Sequence, residues 1–301
     1  MARTNPRLEA GGPGAGGGAG DGVELVAGDA VAPQRLHATV LAAFADYLAG
    51  PFTITPQQWP SFLARQGVDL GASRVALRGG EPVAFALACP RADNGRWRLA
   101  VMGALPAARG SGAAPALLDD FIARGRAAAP RGLELECFAR NERARRLYAS
   151  RGFEPVAELH GWTLAPEAPL AAPAGAPPRR VELATAVAWL DAVARRLPDL
   201  PLGVTSTPLA AATRPLSAWQ RGGAQLVFSA VEGTPVQVHS LVDDSSLQDD
   251  ALALVRALRA SFAGSEIVVP ALQREDLGGA ALRRAGFAPQ ALHQVLMVRR
   301  G

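Results

Sequence analysis

The sequence predicts an α/β fold: a mixed central sheet flanked by helices, built twice along the chain. Three observations lead there. Between Leu99 and Phe153 the chain reads as apolar strand, Gly-rich loop, apolar helix, second strand and Arg-rich helix. Strand, helix, strand in that order is a βαβ unit, which requires parallel strands and a right-handed crossover. The same order recurs more faintly towards the C terminus, where Gly286-Phe287 repeats the closure Gly152-Phe153. Self-similarity at the scale of a domain is the signature of duplication. Between the copies lies a stretch of almost pure Ala and Pro, the composition of a semi-rigid linker.

Composition bounds the answer. A chain of 301 residues with 49% hydrophobic content can bury a core in each of two domains. The net charge of +4 is modest, the positive side chains are all arginine, and they are dispersed without interleaved aromatics. That pattern speaks against a nucleic-acid partner. Two cysteines, Cys89 and Cys137, make no disulfide framework and fit a reducing, cytoplasmic setting. His37, His160, His239 and His293 have no ligand-like spacing, so no metal is implied. No apolar run is long enough to span a membrane. Nothing in the sequence specifies oligomeric state, and a homodimer stays open.

Taken in order, residues 1–22 form a Gly-rich tail expected to be disordered, with no signal-peptide core. A first domain spans 23–164. It opens with an alternating strand at Val23–Ala27, then a helix from Ala32 to Leu48 with Leu36, Val40, Ala43, Phe44 and Tyr47 on one side. Thr55-Pro56 caps a short helix through Trp59, Phe62 and Leu63. Strands at Ser73–Leu77 and Pro82–Cys89 flank a turn containing Gly79-Gly80. Trp97–Leu105, a helix from Ala113 to Arg126, Leu133–Cys137, a helix from Asn141 to Arg151 and Glu154–Leu164 complete it. Residues 165–180 read as the linker and 181–301 as the second domain. The latter has helices near 187–197, 249–262 and 277–284, and strands near 226–231, 236–242, 266–269 and 292–298.

The loop Pro106–Gly112 is the chemically loaded part. Gly110 and Gly112 permit a tight turn into a helix whose first N–H groups have no internal partner, which with the helix dipole makes an anion socket. A P-loop is excluded because no Lys-Ser/Thr pair follows the glycines, and a dinucleotide fingerprint because the third glycine position is Pro115. The bland reading is a Gly-rich turn without a ligand. Against it stand two motifs in order: Arg109-x-x-Gly112-x-Ala114, and Asn141-x-x-Ala144-x-x-x-Tyr148-x-x-x-Gly152-Phe153. Asn141 and Tyr148, seven apart, project from one helix face.

These motifs resemble those of the GNAT superfamily of N-acetyltransferases, over about Val23 to Leu164. The resemblance implies an acyltransferase that moves an acetyl group from acetyl-CoA, as co-substrate, to an amine of a small molecule or a peptide N-terminus. It implies a diphosphate cradle at Arg109, Gly110, Ser111, Gly112, Ala113 and Ala114. The pantetheine arm is expected along Met102, Gly103 and Ala104, with Asn141 tying the arm or the helix start. Tyr148 is expected to protonate the departing thiolate. Glu136 holds the position of a general base in enzymes of the ribosomal-protein N-terminal type; Glu134, on the same strand face, and water remain alternatives. The acceptor pocket should be built by the first two helices and later strands, pointing to Phe44, Tyr47, Phe52, Trp59 and the segment near Trp162, with Asp46 the nearby carboxylate. The second domain is expected to be a degenerate copy. Counting from the shared Phe, Glu275, Leu282 and Pro270 stand for Asn141, Tyr148 and Glu136, and Ser246 with Asp249 suggests a capping box that closes the anion socket. A non-catalytic acyl-CoA-binding regulatory or scaffold protein is the rival reading.

Overall fold

The structure, a computed structural model, describes residues 22–168, 177–197 and 199–300. In chain order the elements are β1 (Glu24–Ala27), α1 (Pro33–Ala43), α2 (Trp59–Arg65), β2 (Asp69–Arg78), β3 (Glu81–Arg91), β4 (Arg96–Ala104), α3 (Ala113–Ala128), β5 (Leu133–Phe138), α4 (Glu142–Ala149) and β6 (Glu154–Leu164). The second half adds β7 (Arg179–Val181), α5 (Leu183–Arg196), α6 (Ser206–Ala210), β8 (Ser217–Arg221), β9 (Ala224–Ser229), β10 (Val236–Val242), α7 (Asp249–Ser261), β11 (Ile267–Arg274), α8 (Gly279–Arg284) and β12 (Ala288–Arg299). The expected linker 165–180 overlaps β7, which pairs with β8. The expected tail lies almost wholly outside the described residues.

All the described strands join one mixed sheet in the order β1-β2-β3-β4-β5-β12-β6-β11-β10-β9-β8-β7. The centre of this order was not foreseen. β12, the last strand of the chain, lies between β5 and β6, with Val295 opposite Cys137 on one side and Glu158 on the other. β6 in turn pairs with β11 of the second half, Ile267 opposite Leu164. Each half therefore completes its sheet with the other half's last strand. Sequence periodicity marks a strand but does not say which neighbour it takes.

Alternation along β5 assigns its two faces. Leu133, Leu135 and Cys137 pack under α3 and α4 with Leu117, Phe121, Tyr148, Phe153, Val295 and Met297. Glu134 and Glu136 point to the opposite face, where α1 and α2 cover Val75, Phe85 and Leu87. The second half has the same two layers: α7 and α8 over Leu226 and Phe228, and α5 and α6 over Val227 and Val242.

Local chemistry explains the element ends. The β2–β3 hairpin turns through Gly79 and Gly80, both at positive φ (57° and 78°), as a two-residue hairpin requires. α4 closes with Gly152 at φ 80° and the Phe153 N–H returning to the Tyr148 carbonyl; α8 closes alike, with Gly286 at φ 89° and Phe287 bonded to Leu282. α1 stops at Ala43, five residues short of expectation. The Arg109 guanidinium takes the Ala43 carbonyl (3.1 Å), and the Phe44 ring turns onto Phe85 (6.0 Å). Tertiary contacts thus override a sequence that is locally helical.

Candidate active site

β4 and β5 run parallel but pair only through Trp97/Leu133, Arg98/Glu134 and Leu99/Leu135. Beyond that the ladder stops, although β4 continues to Ala104 and β5 to Phe138. On its β5 side the stretch Met102–Ala104 therefore lacks ladder partners, which leaves backbone donors and acceptors for an extended ligand. Gly103 is needed for packing too: a Cβ there would lie 2.8 Å from the Phe85 ring and 3.3 Å from Phe44.

From the end of β4 the chain makes a short 3-10 turn at Pro106–Ala108 and enters α3 through Gly110 and Gly112, both at φ 86°. α3 has no side-chain cap and no acidic residue in its first turn. Its first N–H groups and the positive end of its dipole are thus open to an anion. The Ser111 hydroxyl is spent inside the loop, on the Ala108 carbonyl (2.8 Å). Arg109 does not face the loop. Its guanidinium grips Asp46 with two contacts of 2.6 Å. Asp46, expected to be free to greet a cation, is thereby occupied.

Tyr148 is buried on the inner face of α4, its ring 6.1 Å from Phe153. Burial, with Cys137 and Tyr47 nearby, pushes its phenol well above the ordinary tyrosine value. Burial likewise pushes the Cys137 thiol up to about 11, so Cys137 stays protonated and is a poor nucleophile. Asn141 caps α4, accepting from the Ala144 N–H (3.2 Å). Burial also raises the Tyr47 phenol, against a hydrogen bond with Asn141 that lowers it. Tyr47 packs on Phe44 (4.9 Å) and on Phe138 at the end of β5 (5.8 Å). Phe44, Tyr47, Phe138, Asn141 and, through its link to Tyr47, Tyr148 are thus brought together near the open end of the β4–β5 ladder.

The carboxylates are less free than expected. Glu134 is fully buried. Its Oε1 accepts from Arg91 (2.6 Å) and its Oε2 from Asn94 (3.1 Å) and Arg96 (3.3 Å). This removes it as an alternative base. Glu136 is also withdrawn from solvent, and its Oε2 accepts from Arg98 Nε (3.1 Å) and Nη2 (2.5 Å). Its Oε1 has no partner among the described residues. Gln66, on the turn after α2, accepts from Arg98 Nη1 (3.1 Å) and steadies the pair. The reading of the sequence missed Arg98 and Gln66. Arg98 on one predicted strand and Glu134-x-Glu136 on its parallel neighbour were the available signal, since side chains two apart share a face.

Phe52 completes an aromatic row with Phe44 (6.2 Å) and Phe62 (5.1 Å). Trp59 stacks on Phe62 beneath that row and is only 4% exposed, so it belongs to the core. Trp162 is fully buried under α8, with Arg283 over its ring, and lines no acceptor pocket. His160 and His293, isolated in sequence, stack at 4.9 Å across the β6–β12 junction. Among the described residues no group of His, Cys, Asp and Glu could hold a metal ion. An open depression of about 480 Å³ lies away from this site, bordered by Asp119, Arg126, Arg151 and Arg299 near the C-terminal end of α3.

Comparison with known proteins decides the fold. The sequence model of the acetyltransferase (GNAT) family matches residues 41–153, from the end of α1 to the Phe153 closure. A GCN5-related N-acetyltransferase from Sphaerobacter thermophilus superposes with a TM-score of 0.60 at 16% identity, over 93% of this chain and 96% of that one. The chain has the GNAT acetyltransferase fold. A putative acetyltransferase from Pyrococcus horikoshii is similar (TM-score 0.60, 15% identity, 93% and 90% of the two chains). So is a GCN5-related N-acetyltransferase from Kribbella flavida (0.58, 17%, 92% and 71%). No curated protein matches. The GNAT match ends at Phe153, just before β6, and the site residues from Phe44 to Tyr148 lie within it.

In the second half, β10 and β11 also run parallel and pair only at Val236/Ile267 and Gln237/Val268. Here the gap is filled. The Ser240 hydroxyl bonds the Val204 carbonyl (2.7 Å), and Leu272 presses so close to Gly203 that a Cβ there would lie 2.3 Å away. About 10 Å³ remains, no more than the room of one water. The expected capping box of Ser246 and Asp249 does not form. Gln248 steps through φ 51°, and Asp243 caps α7 instead: its Oδ2 accepts from the Ala251 N–H (3.0 Å), and its Oδ1 from the Ser245 N–H (3.0 Å) and hydroxyl (2.6 Å).

Proposed function

We propose that this chain is an N-acetyltransferase that moves the acetyl group of acetyl-CoA to a primary amine, on a small molecule or a peptide N-terminus. The observation that carries this reading is the pairing of an interrupted β4–β5 ladder with an uncapped, acid-free α3 N-terminus at the same sheet end. The diphosphate of the donor would accept hydrogen bonds from the N–H groups of Gly110 and of Gly112, Ala113 and Ala114, the Ser111 N–H being spent on the Ala108 carbonyl. Its pantetheine arm would follow the free edge of Met102–Ala104 between the strands. The thioester would then lie near Tyr148 and Cys137.

The amine attacks the thioester carbonyl; the carbon–sulfur bond breaks as the carbon–nitrogen bond forms, and CoA leaves as a thiolate. The acceptor ammonium must first lose one proton to become a nucleophile, and its nitrogen sheds a second as the tetrahedral adduct collapses to the amide, which balances the proton given to the thiolate. Glu136, through its unpartnered Oε1, is the protein group we assign to the first loss, directly or through a water. Tyr148, held protonated by burial, returns a proton to the sulfur. Direct transfer fits the protonated Cys137, which is no candidate for an acyl-enzyme. Phe44, Tyr47 and Phe52 form the acceptor side.

We read the second half as a copy of the same fold that has lost this site. The symmetric strand order, the repeated Gly-Phe closures, the filled gap and the Asp243 cap support that reading. The Arg98–Glu136 pair favours one rival, a protein that binds acyl-CoA without turning it over, because it ties up one oxygen of the assigned base.

Calorimetry of the full chain with acetyl-CoA tests the binding reading. One site per chain is expected, lost in Gly112→Asp, which puts a carboxylate where the diphosphate belongs. Two sites per chain, or a site that survives the substitution, would overturn it. CoA release with a panel of amines separates enzyme from sensor, since the sensor binds without turnover.

A further inference from the structure

The pairing of Arg109 with Asp46 joins the two sides of the site. Arg109 opens the loop that leads into α3, and Asp46 follows α1 on the acceptor side, between Phe44 and Tyr47. The guanidinium occupies both carboxylate oxygens and also caps the Ala43 carbonyl. Side-chain exposure of 34% for Arg109 and 56% for Asp46 makes the pair a surface one. Such pairs are weak and exchange partners at little cost. Arg109 immediately precedes Gly110 in the loop, and its side chain is long and flexible enough to swing from Asp46 towards an anion seated on α3. A diphosphate offers it more charge than one carboxylate and the same bidentate geometry.

We propose that Arg109 and Asp46 form a latch that the donor's diphosphate opens, and that the freed Asp46 carboxylate then receives the cationic end of the acceptor. This rests on the reading that acetyl-CoA seats its diphosphate at Gly110–Ala114. While Arg109 holds Asp46, an ammonium arriving there meets an occupied carboxylate and a like charge. Once the guanidinium turns to the diphosphate, Asp46 loses its charged partner beside an aromatic wall. Donor binding therefore strengthens acceptor binding, and the acceptor is a cation with an apolar body.

Calorimetry with CoA on the full chain tests the latch. If Arg109 must leave Asp46 to reach the diphosphate, Asp46→Asn should tighten CoA binding by roughly three- to tenfold and Arg109→Ala should weaken it. Asp46→Asn should then have no effect in the Arg109→Ala background, because a thermodynamic cycle isolates the coupling of the two residues. An Asp46→Asn protein that binds CoA as wild type does, or more weakly, overturns the latch. Wild-type protein that binds no CoA overturns the acetyltransferase reading itself, and the two failures are thereby distinct. The acceptor arm uses aromatic primary amines as probes. At least one should bind the CoA complex more tightly than the free protein, and lose affinity at least tenfold in the Asp46→Asn CoA complex. If none binds the CoA complex, Asp46 is not the acceptor's anchor.

Discussion

Tyr148 is where burial and chemistry meet at the level of one residue. A phenol pushed above its ordinary value stays protonated at neutral pH, which is the state a donor to a thiolate needs. Its ring is also core, set edge-on to Phe153 (64° between planes). Tyr148→Phe separates the two roles, since the ring stays and the hydroxyl goes. We expect kcat to fall by ~10²–10⁴, the typical worth of a proton donor, with little change in KM for acetyl-CoA. An unchanged kcat, with the chemical step shown to be rate-limiting, would mean that another group protonates CoA.

Among elements, α3 and α7 start in opposite ways. α3 leaves its first N–H groups open above two glycines, whereas α7 has its own filled by Asp243, which is only 1% exposed. Gln248 reinforces the closed version, accepting from the Ala281 N–H (3.1 Å) and donating to the Glu275 carbonyl (2.9 Å), so that α7 and α8 are tied at that point. Asp243→Ala would leave the buried Ala251 N–H unpaired and turn the two donors of the exposed Ser245 to water. We expect a loss of roughly 2–4 kcal/mol from the cap and the orphaned N–H together, measured by urea unfolding. CoA affinity should not change, because the socket we propose lies at the start of α3. A variant as stable as wild type would show that the α7 start finds other partners.

For the whole molecule, the exchange of β6 and β12 decides how much of the chain the site needs. β12 lies along the full length of β5, Gln294 opposite Phe138 and Arg299 opposite Leu133. It also contributes Val295 and Met297 to the core beneath α3 and α4. A buried ionic cluster crosses between the halves as well: Arg96 reaches Asp199 (2.7 Å) and Arg91 the Leu200 carbonyl (2.9 Å) while both hold Glu134. A chain ending near Pro166 keeps Glu136, Tyr148 and the α3 loop. It loses β12, leaves β5 and β6 as unpaired edges, and strips two partners from buried arginines. Two buried side chains alone forfeit about 3–6 kcal/mol, and exposed strand edges promote association. We expect that chain to aggregate or to unfold at much lower temperature, read by size-exclusion chromatography and thermal melting. A soluble, monomeric, active truncation would refute this role for the second half.

How much of this was legible in the sequence follows the range of the forces involved. Local and periodic signals were enough for β6 and β10, whose limits match the expectation, for the Gly-Phe closures, and for the glycine turn into α3, because backbone sterics and alternation act within a few residues. The two motifs pointed to the segment that the GNAT family matches. Partner choice was not legible. Nothing in residues 288–299 says that they pair with β5, which lies some hundred and fifty positions earlier; the hydrogen-bond ladder is the same for any neighbour, and the packing of Val295 and Met297 on the first core decides it. The same holds for charge. The resemblance to the GNAT family suggested that Glu134, Glu136, Asp46 and Arg109 were available, and only the tertiary structure shows each already engaged, because an ion pair forms between whatever charges the fold brings within reach.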